Sequence, residues 1–211
     1  MYVKNRMTKN PYTIEANAPI SDAVALLKEK GLKRLPVVDG EKVVGILTQS
    51  DIHKVSPTKA TSLSIFEINY LLSKLTVNDA MTKKIITIDA NSLLEEAAVI
   101  MRENRIGTLP VVENDKLVGI ITESDIFDAL IDLLGFKDSG SRITIEAKDV
   151  PGAMADIAAT FKSLGINITH IAVFAGDGVR EIIIRCTASE TDELEKKLNE
   201  QGYRVKHVLK N

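Results

Sequence analysis

One segment of this 211-residue chain occurs twice, and that constrains its fold more than any other feature. Leu35-Pro36-Val37-Val38 returns as Leu109-Pro110-Val111-Val112, and Met7-Thr8-Lys9 returns as Met81-Thr82-Lys83, both at an offset of 74. At the same offset, Gly45-Ile46-x-Thr48-x-Ser50-Asp51-Ile52 returns as Gly119-Ile120-x-Thr122-x-Ser124-Asp125-Ile126. About 22 of 50 aligned positions match without a gap. A unit repeated at this length is a supersecondary module that buries its apolar face against a copy of itself.

Each copy reads as strand–helix–strand–strand–helix. Ser21 precedes Ala23, Val24, Leu26 and Leu27 at helical spacing, and Gly31 supplies a left-handed stop. In the second copy Ser92-Leu-Leu-Glu95 has the form of a capping box ahead of Ala97, Ala98, Ile100 and Met101. Two β-rich runs follow, Leu35–Asp39 and Val43–Thr48, turned by Asp39-Gly40; the second copy carries Glu113-Asn114-Asp115 at that turn. A last helix opens at Ser50 or Ser124, and Gly135 ends the second one. Between the copies, the polar run Ser56–Ser62 reads as a loop. It leads into Ile65, Ile68, Leu72 and Leu75 at helical spacing, with Phe66 and Tyr70 beside them. That stripe fits a connector helix on its own module or a contact with a second subunit.

The last third follows a different pattern. Lys137–Ser141 is a plausible linker, Arg142–Lys148 alternates as a half-buried strand, and Asp149-Val-Pro151-Gly152 turns into a helix that Gly165 stops. Ile166–Phe174 and Val179–Thr187 form a hairpin through Gly176-Asp177-Gly178; Leu194 and Leu198 mark a second helix, and Tyr203–Leu209 closes the domain. The order βαββαβ is that of the ferredoxin-like fold.

Composition narrows the function. Hydrophobic residues make up 45% and charged residues 27%, ordinary for a globular chain. A net charge of −2 leaves no basic excess for a nucleic acid. No apolar run approaches the ~18 residues of a membrane span, and Met-Tyr-Val-Lys-Asn-Arg lacks the apolar stretch of a signal peptide. A soluble cytoplasmic protein without nucleic-acid or membrane partners is expected. The lone Cys186 excludes an internal disulfide framework, and His53, His170 and His207 show no metal-ligand spacing. With no P-loop or nucleophile elbow either, neither a catalytic nor a metal site is expected.

The chemistry concentrates in Thr48-x-Ser50-Asp51 and Thr122-x-Ser124-Asp125. Each follows a strand and opens a helix, where free amides and the helix dipole favour an anion. The hydroxyls can bond a phosphate, and the carboxylate can accept both hydroxyls of a ribose. Thr-x-x-Asp also resembles a plain capping box. Lys33-Arg34, replaced by Gly107-Thr108 in the second copy, together with Arg102 and Arg105, could favour phosphates in one cleft or stand as solvated charges.

These motifs resemble, twice over, the cystathionine-β-synthase (CBS) motif, and two in tandem resemble a Bateman module. The resemblance implies an adenosine-containing regulatory ligand rather than a required cofactor. On it, Asp51 and Asp125 hold ribose; Thr48, Ser50, Thr122 and Ser124 approach phosphates or ribose; Leu32 and Ile106 flank adenine. Lys33 and Gly107 supply backbone contacts, and Thr13 and Thr87 on the early strands complete the sites. Which copy lends these to which aspartate stays open. AMP, ADP, ATP and cyclic di-AMP all fit, with S-adenosylmethionine a further candidate.

Residues 142–209 resemble an ACT domain through Asp149-Val-Pro151-Gly152 and Gly165-Ile-Asn167-Ile168. That resemblance implies an amino-acid effector at Asp149, Gly152 and Asn167, or a dimerisation role. The expected architecture is mixed α+β and α/β: a CBS pair of βαββα repeats (1–56 and 76–135, with a connector at 57–75), followed by the ACT domain. Taken whole, the chain resembles the acetoin-utilisation (AcuB) family, which implies a non-catalytic, homodimeric sensor. The alternative is a structural adaptor without physiological nucleotide binding.

Overall fold

The computed structural model describes residues 1–55, 74–176 and 178–210, so the loop and apolar stripe read between 56 and 73 lie outside the described residues. It divides into two units, Met1–Ile126 and Phe127–Asn211.

In the first unit a 3-10 turn at Val3–Asn5 leads to β1 (Thr8–Lys9), β2 (Ile14–Glu15), α1 (Ile20–Glu29), β3 (Arg34–Asp39), β4 (Lys42–Thr48) and α2 (Gln49–Val55). The second copy gives α3 (Val77–Ala80), β5 (Ile88–Asp89), α4 (Leu94–Asn104), β6 (Thr108–Glu113), β7 (Lys116–Thr122) and α5 (Glu123–Leu133). β2 runs parallel to β3, which pairs antiparallel with β4; β5, β6 and β7 repeat this, down to the irregularity between Val37 and Val38 and between Val111 and Val112. Leu35, Val37 and Leu47 are wholly buried, as are Leu109, Val111 and Ile121. Each such side chain contributes about 1.5–3 kcal/mol on leaving water, so the duplicated strand motifs are first of all the two halves of a core.

The segment leading into each copy belongs to the other copy's sheet. Thr8 and Lys9 pair with Ile120 and Gly119 of β7, while Thr82 bridges Ile46 of β4. Val3 donates its amide to the Ser92 carbonyl at 3.0 Å, and its counterpart Val77 donates to Ala18 at 2.9 Å. Both valines are fully buried.

Four helix starts differ from the sequence reading by a residue or more. Ser21 lies inside the first turn of α1, behind Pro19. In α4 the N-cap is Leu93, whose amide donates to Glu96 Oε2 at 3.1 Å, so the box expected at Ser92 and Glu95 is displaced by one residue. Neither Pro19 nor Leu93 has a side-chain acceptor, which is why a search for capping hydroxyls misplaces these starts. The helices expected to open at Ser50 and Ser124 open at Gln49 and Glu123, immediately after Thr48 and Thr122.

The second unit, downstream of the boundary inside α5, contains β8 (Ser141–Lys148), α6 (Ala153–Ser163), β9 (Ile168–Ala175), β10 (Val179–Cys186), α7 (Asp192–Glu200) and β11 (Arg204–Lys210). Its sheet has the order β11-β8-β10-β9, antiparallel throughout, as the ferredoxin-like reading requires. Ile143, Ile145, Ile157, Phe161, Ile184, Leu194 and Leu198 form a dry core between sheet and helices, and Cys186 is part of it.

Candidate functional site

Thr48 ends β4 and Asp51 sits in the first turn of α2. Thr48 donates to Asp51 Oδ2 from its amide at 3.1 Å and from its hydroxyl at 2.6 Å; the Asp51 amide donates back to Thr48 Oγ1 at 3.2 Å. Lys54 occupies the other oxygen, Oδ1, at 3.0 Å. Burial pushes the Asp51 carboxyl up, but the Thr48 hydroxyl, the Lys54 ammonium and the Thr48 amide outweigh it and hold the group below the usual carboxylate range. Asp51 is therefore an almost fully buried, ionised carboxylate.

The second copy repeats the arrangement with one difference. Asp125 Oδ2 accepts the Thr122 amide and hydroxyl, each at 2.7 Å. No cation among the described residues takes the place of Lys54, and Asp125 is half-buried. The reciprocal bonding of the capping box is thus present at the first site and its aspartate half at the second. The same geometry recurs away from either motif, where Thr76 donates to Asp79 Oδ2 at 2.9 Å from its amide and 2.7 Å from its hydroxyl. Capping uses one carboxylate oxygen; recognition of a ribose needs the other.

A cavity of about 170 Å³ opens beside Thr48. Its apolar wall is Ile46, Ile85, Ile86 and Ile106; its polar groups are Arg34, Lys84, Thr48, Thr82 and Thr108. The first copy's Thr48 therefore shares a cleft with the second copy's Ile106 and with the segment after Met81. Arg34 donates to the Thr108 hydroxyl, which in turn donates to the Gly107 carbonyl at 2.6 Å. Arg34 and Thr108 are the same position of the two copies. Their meeting, like the exchange of leading segments, marks an approximate twofold relation within the unit.

The other residues singled out in the sequence fall around this cleft in different ways. The carbonyls of Lys33 and Gly107 accept the chain's own amides, those of Gln49 and Glu123, each at 3.3 Å. Ser50 and Ser124 are exposed on the first turns of α2 and α5. Leu32 is half-buried against the core of the first copy. Thr13 and Thr87 stand one residue ahead of the short strands β2 and β5, not on them, and neither lines the cavity. Arg102 and Arg105 are exposed and also lie off it. Sequence reasoning passed over Lys84, Thr82 and the Ile85-Ile86 pair. The signal available was the repeated Met-Thr-Lys, whose meaning depends on knowing that it crosses to the other copy.

In the second unit Asp149 is engaged by Arg180 at 2.7 Å, and this hydrogen-bonded cation holds its carboxyl below the usual range. Gly152 caps α6 in a left-handed conformation, φ 93°. Asn167 lines a separate open cavity with Phe161, Lys162, Gly165 and Ile166. Neither Asp149 nor Gly152 is among the residues that line this cavity. Among the described residues no cluster of three His, Cys, Asp or Glu side chains is arranged to hold a metal, and no helix is long and apolar enough to cross a membrane.

Comparison with known families accounts for this arrangement. The CBS domain family matches residues 3–57 and 77–132, together more than half of the chain. The chain belongs to the CBS-domain family. Its CBS pair is followed by an ACT domain, matched over residues 141–202. A Vibrio cholerae structure named as an acetoin utilization protein (AcuB) is 30% identical, with a TM-score of 0.54, covering 65% of this chain and 95% of that one. CBSX2 in complex with AMP is 30% identical at a TM-score of 0.51, covering 63% of this chain and 97% of that chain. The CBS pair of MJ0100, solved with 5-methylthioadenosine and S-adenosyl-L-methionine, gives 30% and 0.51 over 65% of this chain and 98% of that one. Inosine-5'-monophosphate dehydrogenase of Korarchaeum cryptofilum is 29% identical over 79% of this chain, which spans only 32% of that enzyme's length.

Proposed function

We propose that this chain is a non-catalytic regulatory protein whose CBS pair binds an adenosine-containing nucleotide. AMP, ADP, ATP and cyclic di-AMP are the candidate ligands, and the ACT domain serves effector sensing or dimerisation. One observation carries this reading: the cavity unites Thr48 of one copy with Ile106 of the other, beside an ionised carboxylate and two cations. An apolar wall suits a purine, and the hydroxyls and cations suit ribose and phosphate. CBSX2 was solved with AMP, which supports the same ligand class here. The likeness to the Vibrio cholerae protein named as AcuB supports acetoin utilisation as the metabolic setting.

Ligand-dependent regulation requires two conformations of unequal affinity. Calorimetry with the four nucleotides and S-adenosylmethionine tests the reading: at least one should bind at physiological concentration, and Asp51→Asn with Asp125→Asn should abolish it. The capping-box geometry, repeated at Thr76 and Asp79, favours a second reading in which the pair is a structural adaptor. The adaptor binds none of the five.

A further inference from the structure

Resting on the nucleotide reading, we infer that Lys84 makes the two clefts of the pair unequal: the Thr48 cleft selects a phosphorylated adenosine ligand, while its twin does not. The repeat itself provides the comparison. Moving each wall residue of the Thr48 cavity by 74 positions gives the corresponding wall of the Thr122 cleft. Thr82 becomes Thr8, Thr48 becomes Thr122, and Arg34 and Thr108 exchange places, so hydroxyls and guanidinium are common to both. Lys84 becomes Asn10, and Ile86 becomes Tyr12.

The difference is one full charge at one wall. Lys84 is exposed on its own segment, lines the cavity, and carries no ion pair among the described residues. Asn10 offers an amide, which can bond a phosphate but adds no Coulombic attraction. The cation beside Tyr12 is Lys30, 5.3 Å from the ring centroid, and its ammonium is already paired with Glu29 at 2.8 Å. Arg34 is held by Thr108 and flanks Gly107, where the Glu123 carboxylate also stands close. The shared guanidinium is thus partly balanced, and discrimination falls to Lys84.

Calorimetry on the full chain, with AMP and adenosine as probes, tests this. Lys84→Asn gives the first cleft the second copy's residue at an exposed position that leaves the core untouched. AMP should weaken at one site by about tenfold while adenosine stays within about twofold, and Asn10→Lys should strengthen AMP at the other site. If Lys84→Asn leaves both probes unchanged while Asp51→Asn still abolishes a site, the inference is wrong and the nucleotide reading stands. If neither probe binds the wild-type chain at millimolar concentration, both fall.

Discussion

The sulfur of Met81 occupies the space that a side chain at Gly45 would need, and the Met7 sulfur does the same at Gly119. Two motifs that look independent along the chain, Met-Thr and Gly-Ile, are therefore two halves of one contact exchanged between copies. Thr82 donates its amide to the Ile46 carbonyl at 2.9 Å and accepts the Ile46 amide at 3.1 Å, so Met81 cannot retreat without loosening that bridge. Gly45→Ala should destabilise the CBS pair by about 1–3 kcal/mol through overpacking. Shortening the opposing side chain by Met81→Ala should recover part of that loss. Urea unfolding of both single variants and the double variant measures the coupling, and additive losses would show that the contact is not what excludes the side chain.

The three Thr-x-x-Asp boxes separate capping from recognition. Asp79→Ala should cost about 1 kcal/mol of stability and leave nucleotide affinity unchanged, because it removes only a cap. Asp125→Ala should cost a similar amount and also weaken its own cleft at least tenfold, since a charge-assisted ribose contact contributes about 1.5–3 kcal/mol. Lys54→Ala should alter affinity at the first cleft in the favourable direction, because a ribose there competes with Lys54 for Asp51 Oδ1. Thermal shifts with and without AMP distinguish these outcomes.

The lowered pKa of Asp51 fixes the sign of its pH dependence. A carboxyl more acidic in the folded chain than in the unfolded one stabilises the fold fully above its unfolded value. That contribution disappears as pH falls through the folded value. The Asp51 contribution should be flat from pH 6 to 8 and lost only below about pH 4. A wild-type minus Asp51→Asn stability difference that changes between pH 6 and 8 would contradict this.

Much of this fold is legible in the sequence because strand and turn chemistry act locally. Leu-Pro-Val-Val needs a buried strand, Gly31 and Gly135 take φ of 63° and 61° where their helices stop, and alternation over 142–148 suffices for β8. What cannot be read is which copy a leading segment joins. Thr8 beside Ile120 and Thr8 beside Ile46 satisfy the same pattern, and only chain length and packing choose between them. The cavity inherits that ambiguity: Lys84 looks like any solvated lysine until the exchange brings it to Thr48. Asp149 is the opposite case, conspicuous in its loop yet already neutralised by Arg180, which the pairing of β10 with β8 brings beside it and sequence spacing does not.

Homodimerisation is expected through the edge of the ACT sheet. Among the described residues β9 pairs only with β10, and Ile171, Val173 and Phe174 remain 47%, 49% and 53% exposed. An open strand with apolar side chains is a template for pairing with a second copy. Sedimentation at micromolar concentration should show a dimer, and Ile171→Lys with Val173→Lys should shift it to monomer without unfolding it. A dimer unaffected by that double substitution places the interface elsewhere.

If the ACT domain takes an amino acid, the geometry favours the cavity at Asn167 over the loop at Asp149. An incoming ammonium at Asp149 would have to displace Arg180 from a 2.7 Å contact, exchanging one cation for another with little net gain. At the other cavity, Lys162 can receive a carboxylate and Asn167 can bond either end of the ligand, against the apolar floor of Phe161 and Ile166. Lys162→Ala and Asn167→Ala should each weaken the amino acid about tenfold, while Asp149→Ala changes it less than twofold. Linkage then makes the coupling testable from either side: whatever factor the amino acid applies to AMP affinity, AMP must apply to amino-acid affinity. Calorimetric titration of each ligand in the presence and absence of the other should return one factor. A factor of one in both directions would leave the ACT domain as an assembly unit with no influence on nucleotide binding.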